Sequence, residues 1–220
     1  MATSIIVNES AKHYESPERA TVNIDIKYTS FDREKAHQRV SEVLRDVRAQ
    51  IEGMHDGQNG PVTWYSISGA STWTSKDADG FKFSEEIEVK VKFSDFARLG
   101  NWLDSVLKYQ GVRLRFIRWS VTQHREKELE ALLRQAAVRA ARQKAEQYAA
   151  AVGMHIVSIK TIADTGFLKN GYGYSSASSA ASRGGGGASG SASSATLDTY
   201  RFAPEDIHMS ASVEAEFLAE

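Results

Sequence analysis

Several short segments of the chain alternate strictly between apolar and polar residues. In "EEIEVKVKF", apolar side chains recur at every second position from Ile87 to Phe93, which is typical of a strand with one buried face. The same alternation runs through "ATVNIDIKY" and through "EDIHMSASVEAEFLAE" near the C-terminus. "VTWYSISGASTW" and "HIVSIKTIAD" also indicate strands, and Asp79-Gly80 predicts a hairpin turn.

Three longer segments repeat their apolar residues every three or four positions, as amphipathic helices do. They are "FDREKAHQRVSEVLRDVRAQIEG", "SDFARLGNWLDSVLKYQG" and the alanine-rich "HREKELEALLRQAAVRAARQKAEQYAAAVG". Ser94 or Asp95 can cap the second helix, and Gly53, Gly111 and Gly153 are the predicted stops. Between the last two helices, "VRLRFIRWSV" predicts a strand whose buried face changes near Phe116, which suggests a bulge or two buried faces.

A tract of serine, glycine and alanine, "SSASSAASRGGGGASGSASSA", precedes the last alternating segment. A lone strand cannot bury its apolar face, so the segment after the tract must return to a sheet formed by earlier residues. We therefore predict one domain over residues 1–220, either a single body or two sub-lobes, with a flexible, disordered loop at 166–198. The fold class is α+β, with antiparallel or mixed sheets, three main helices and an order of roughly ββαββαβαββ.

Composition places the chain among ordinary globular proteins. Of its 220 residues 41% are hydrophobic and 25% charged, and the formal net charge is -1. The chain has no cysteine, which excludes disulfides and thiolate chemistry. "MATSIIVNES" lacks the features of a secretory signal, and no apolar run approaches the roughly 18–20 residues of a membrane helix. We therefore expect a cytoplasmic protein with no membrane span.

Motifs of catalysis and cofactor binding lack their required context. None of the six histidines belongs to an HExxH or HxH pattern. Ser105 and Lys108 match SxxK without its companion motifs, and the GxGxxG match inside the Ser/Gly tract has neither the strand nor the helix it needs. Glu85, Glu86 and Glu88 could suggest a carboxylate pair, but Glu86 and Glu88 face the same side of an alternating strand and are most simply its solvated face. We accordingly expect no catalytic residue, no cofactor and no metal.

Two alternatives to a protein without catalytic activity remain open. A hydrolase or ligand-binding site could assemble from scattered residues such as His124, His155 and Glu86.

A single-stranded nucleic-acid binder could use the arginine strand, in which Arg113, Arg115 and Arg118 lie near Trp119. The neutral charge of the chain disfavours this second alternative. The candidate interaction surface consists of basic and aromatic residues in one strand and two tyrosines next to the tract: Arg113, Arg115, Arg118, Trp119, Tyr172 and Tyr174.

Three stretches of the sequence resemble the SIMPL-domain family. They are "PERATVNIDI", the helix segment "RQAAVRAARQKAEQYAAAVG" and the closing "FAPEDIHMSASVEAEFLA". Together they span nearly the whole chain except the Ser/Gly tract. Members of this family include bacterial proteins of oxidative-stress defence and periplasmic immunogenic proteins, some of which form ring-like oligomers, and a eukaryotic kinase-associated adaptor.

The resemblance implies a non-enzymatic protein that assembles with copies of itself, acts through protein–protein contacts and takes part in stress defence. A homo-oligomer, with a further protein partner, is therefore the expected state. The family supplies no catalytic residues, in agreement with the motif search. Two differences from the family are expected: no export signal, and the Ser/Gly tract as an insertion.

Overall fold

The computed structural model describes residues 2–57, 59–168 and 202–220. Its elements follow the order ββαβββαβαββ, which confirms the α+β class and differs from the predicted order by one strand. The helices are α1 (Arg33–Met54), α2 (Phe96–Val106) and α3 (Gln123–Ala151). The strands are β1 (Thr3–Glu15), β2 (Arg19–Ser30), β3 (Val62–Ile67), β4 (Ser71–Asp77), β5 (Gly80–Phe93), β6 (Val112–Ser120), β7 (Ile156–Asp164) and β8 (Ile207–Ala219).

These elements form two compact units. The three-stranded unit contains the described residues of 1–16, 121–185 and 206–220, and the five-stranded unit contains those of 17–120 and 186–205. The prediction of one domain over 1–220 allows for two such sub-lobes and stays a prediction. Most of the predicted loop at 166–198 lies outside the described residues.

The three-stranded unit is an antiparallel sheet in the order β1-β8-β7 with α3 against one face. The strand after the Ser/Gly tract thus lies between two others, as its alternation requires. Its buried Phe217 and Ala215 pack with Val7 and with three fully buried alanines of α3. Since alanine side chains are small, they let the helix backbone approach the sheet closely.

The five-stranded unit is a second antiparallel sheet in the order β3-β5-β2-β6, with β4 also paired to β5. Helices α1 and α2 cover its inner face, where Val22, Ile24, Val89 and Phe93 are fully buried. β3 and β4 follow each other along β5, so the single strand predicted from "VTWYSISGASTW" is interrupted. At the interruption, the Ser68 hydroxyl oxygen accepts a 2.9 Å hydrogen bond from the Glu88 backbone nitrogen.

The predicted change of face in β6 is confirmed as a bulge. Phe116 pairs with Asn23 and Leu114 with Ile24, so Arg115 has no partner residue on β2. A bulge of this kind lets apolar residues on both sides of it reach the core. Before β6, Gly111 adopts φ +93°, and a Cβ there would overlap the Lys27 carbonyl oxygen.

Helix boundaries follow the predicted caps at their starts more closely than at their ends. Asp95 caps α2, and its carboxylate accepts hydrogen bonds from the backbone nitrogens of Ala97 and Arg98 at 2.9 and 3.0 Å. The predicted stop at Gly53 is wrong, because α1 continues to Met54 and is capped by His55. Gly153 does follow α3, with φ +76°.

Candidate functional site

The outer face of the five-stranded sheet, opposite α1 and α2, has ordered rows of side chains. Cross-strand pairs point to the same side of a sheet, so the register defines these rows. The first row runs Trp64–Lys92–Thr21–Arg118 across β3, β5, β2 and β6. The second row lies two residues further along each strand and contains Ser66, Lys90, Asn23 and Phe116.

We call Trp64, Lys90, Lys92, Phe116 and Arg118 the basic–aromatic patch. Lys92 Nζ lies 5.7 Å from the Trp64 ring centroid, and the Arg118 guanidinium carbon lies 5.9 Å from that of Phe116. Both rings remain nearly half exposed, at 45% and 46%. At such distances a cation is attracted to the ring face, which holds each pair at the surface.

The next row of the same face contains two carboxylates and an arginine. Here Glu88 pairs with Asp25 and Asp25 with Arg113. Glu88 accepts hydrogen bonds from Asn23 Nδ2 at 2.6 Å and from Lys90 Nζ at 3.0 Å, and these bonds lower its pKa. Asp25 is more buried and pairs with Arg115 Nε at 3.3 Å.

Burial raises the pKa of Asp25 despite the opposing pull of Arg115. Its Oδ1 is buried and has no hydrogen-bond partner among the described residues, which makes the charged form costly. Two neighbouring carboxyl groups of one face therefore have pKa values shifted in opposite directions.

Only part of the candidate interaction surface lies together. Arg113, Arg115 and Arg118 are exposed on the outer face of β6. Trp119 pairs with Ala20 and packs toward the core, with its ring 4.9 Å from that of Phe96. The aromatic residue beside the arginines is therefore Phe116. Tyr172 and Tyr174 lie outside the described residues.

The residues of the hydrolase alternative do not converge. His124 lies in the first turn of α3 and pairs with Glu128 at 3.1 Å, whereas His155 follows the same helix. Since a helix rises about 1.5 Å per residue, these histidines are roughly 40 Å apart. Glu86 belongs to the other unit, where it faces Lys27 at 3.9 Å.

A small recess of about 100 Å³ near the start of α1 contains the one buried glutamate of the described residues, Glu85. Both Glu85 oxygens lie 3.1 Å from His37 Nδ1. Among the described residues, no group of three or more His, Cys, Asp or Glu side chains could hold a metal ion.

A second exposed surface belongs to the three-stranded unit. α3 packs on β1 and β8, and so leaves the edge strand β7 largely uncovered. Val157, Ile159 and Ile162 of β7 are each almost half exposed, and Phe167 just beyond the strand is 77% exposed. We call these four residues the β7 apolar surface.

The chain is an α+β protein with two antiparallel sheets in the part that the structure describes. It belongs to the SIMPL family, because the family model described as "Protein of unknown function (DUF541)" matches residues 5–217. No curated protein matches the sequence closely enough to count as a relative. Among the described residues, no helix is long and apolar enough to cross a membrane.

Sequence reasoning missed Trp64, Lys90 and Lys92 as neighbours of the arginine strand. They lie on β3 and β5, more than 20 residues away in sequence. The alternation of β5 does place its lysines on the polar face. Only the strand order and register show that this face continues onto β6.

Proposed function

We propose that this protein acts through association with further copies of itself and catalyses no reaction. The observation that supports the proposal is the β7 apolar surface on an edge strand. Edge strands present unpaired backbone groups, and clustered exposed apolar residues mark contact sites. Proteins usually blunt such edges with charge or proline. The lysine of β7, Lys160, is paired with Glu216 at 2.8 Å, whereas Val157, Ile159 and Ile162 are apolar and β-branched.

A second copy is the occupant that fits this surface best. Two β7 strands can pair antiparallel about a two-fold axis, which makes one surface complementary to itself. Ile159 and Ile162 pair with Phe217 and Ala215 and therefore point to the α3 side of the sheet. On that side, two copies can cover each other's isoleucines.

Light scattering coupled to size exclusion tests the proposal. We expect the wild-type chain at micromolar concentration to have a mass that is a multiple of 24.3 kDa. Ile159→Glu should give the monomer, since a carboxylate cannot be buried there without a partner. Thr161→Glu is the matched control because Thr161 faces the other side of the same strand, opposite Glu216.

A monomeric wild type, or an equal effect of the two glutamate variants, contradicts the proposal. The proposed cellular role is stress defence, which the family resemblance supports. A strain that lacks the gene should regain growth under oxidant when it carries the wild-type gene but not when it carries Ile159→Glu. This result would show that stress defence depends on assembly.

A further inference from the structure

The basic–aromatic patch has cations without acidic partners. In its two rows every charged side chain is a lysine or arginine. Lys90 pairs with Glu88 of the next row, whereas Lys92 and Arg118 have no ion-pair partner among the described residues. The net charge of -1 averages over the whole chain and hides this local excess. Closely spaced free cations attract polyanions, above all those with regularly spaced phosphates.

The aromatic rings of the patch add a second requirement for the ligand. Trp64 lies on β3 and Phe116 on β6, with β5 and β2 between them. Three strand spacings of about 4.8 Å separate the rings by roughly 14 Å across the sheet. Flat ligand groups that stack on both rings must therefore be joined by a chain that crosses the strands.

From this combination we infer that the basic–aromatic patch binds single-stranded nucleic acid. Bases stack on the rings of Trp64 and Phe116, and phosphates contact Lys92 and Arg118. Sheet surfaces with exposed aromatic residues and flanking cations bind single strands in this way. An acidic polypeptide would satisfy the cations but would leave both rings without a stacking partner.

The positions of the two rings give the bound strand its direction. A ligand that stacks on Trp64 of β3 and on Phe116 of β6 crosses β3, β5, β2 and β6. In the next row, Glu88 and Asp25 are paired with Lys90 and Arg115, so they leave little free negative charge beside the patch. A duplex is too wide and too stiff to present its bases to both rings.

Fluorescence anisotropy with the full chain tests the inference. The probes are fluorescein-labelled 15-mers of deoxythymidine and of uridine, a duplex of the same length, and polyglutamate as competitor. We expect both single strands to bind at low salt, with an affinity that falls linearly on a log–log scale as salt rises. The duplex should bind more weakly, and polyglutamate should compete poorly.

Two kinds of substitution separate stacking from charge. Phe116→Ala should weaken binding about tenfold and leave the salt slope unchanged, because a lost stack releases no counterion. Lys92→Ala should lower the salt slope by about 0.7, the value for one phosphate contact to a single strand. Phe116→Tyr, which keeps the ring, should retain the wild-type affinity.

Phe81→Ala is the matched control. Phe81 is also an exposed aromatic residue near a lysine, 5.5 Å from Lys76 Nζ, but it pairs with Lys76 on the opposite side of the sheet. Absence of binding at low salt overturns the inference, and so does an equal loss in Phe81→Ala and Phe116→Ala. Efficient competition by polyglutamate also overturns it and identifies the ligand as an acidic polypeptide.

Discussion

Neighbouring residues of one sheet face can differ sharply in their acid–base behaviour. Asp25 and Glu88 are cross-strand partners, yet burial raises the pKa of Asp25 and hydrogen bonds from Asn23 and Lys90 lower that of Glu88. A shifted pKa couples stability to pH. Asp25 therefore destabilises the fold where it is charged, and Glu88 stabilises it.

Asp25→Asn should raise the free energy of unfolding at pH 7, because it removes a buried charge. The folded wild type keeps the Asp25 proton to higher pH than the unfolded chain, so its stability falls as pH rises from 3.8 through the raised pKa. The advantage of the variant should thus shrink as pH falls toward 3.8. Urea unfolding of both proteins at several pH values measures this difference in the free energy of unfolding. A difference that does not change with pH contradicts the assignment of a raised pKa to Asp25.

Glu88→Gln is the control, because its effect on the free energy of unfolding should have the opposite sign. The folded-state pKa of Glu88 lies below its usual 4.5, so the stability it contributes is complete above pH 4.5 and is lost as pH falls through the lowered pKa. The variant should be less stable than wild type at pH 7, and the deficit should disappear in acid. Equal pH profiles for the two variants would refute the assignment.

Residue-level inference from the sequence succeeded where the chemistry is local. Asp95 caps its helix through the backbone nitrogens two and three residues further along the chain, and the change of face near Phe116 predicts the bulge found there. It failed where distant neighbours decide. Trp119 packs against Phe96, which is 23 residues away in sequence.

At the scale of single elements, α3 shows how an alanine stripe sets a packing distance. The residues on this stripe recur every fourth position, and Ala137, Ala141 and Ala145 are fully buried. Ala141→Leu should destabilise the protein by about 1–3 kcal/mol, because the larger side chain has no space against the sheet.

Thermal or urea unfolding, read by circular dichroism, measures this loss. Ala131→Leu is the control, since Ala131 is exposed on the same helix and leucine is nearly as good a helix former as alanine. A similar loss in both variants would show that helix propensity, and not packing, is responsible.

The alternation of apolar and polar residues did not locate β1. Its inward positions begin with Ile5 and Val7 but continue with Glu9 and end with Glu15. Those glutamates pair with Lys144 and Arg125 of α3, at 2.7 and 2.9 Å. Alternation fails as a signal when a buried-side residue is charged and its partner lies more than 100 residues away.

At the scale of the whole molecule, the two units differ in how the chain builds them. Every residue of the larger buried cluster lies between Ala20 and Val112, so one continuous stretch forms that core. The other unit needs β1, α3, β7 and β8 from separate parts of the chain. Continuous segments with their own core can fold alone.

A fragment of residues 17–120 should therefore fold cooperatively. All four tryptophans, Trp64, Trp73, Trp102 and Trp119, lie within it, so tryptophan fluorescence reports on this unit alone. We expect the fragment to keep most of the urea midpoint that fluorescence gives for the full chain, with a small loss from the missing Phe202 contact to Trp119.

The complementary fragment of residues 121–220 is the control. It lacks β1, whose Val7 belongs to the smaller core, and should show no cooperative transition by circular dichroism. Non-cooperative unfolding of the 17–120 fragment would instead support a single indivisible domain.

The ends of that continuous stretch are adjacent. Arg19 pairs with Ser120 in the sheet, and the Glu18 backbone nitrogen donates to the Ser120 oxygen at 3.0 Å. When the two ends of a segment are adjacent, the segment can be removed and the flanking residues joined by a tight turn. The path of the remaining chain then does not change. Residues 17–120 can therefore be exchanged for another segment whose two ends lie equally close together.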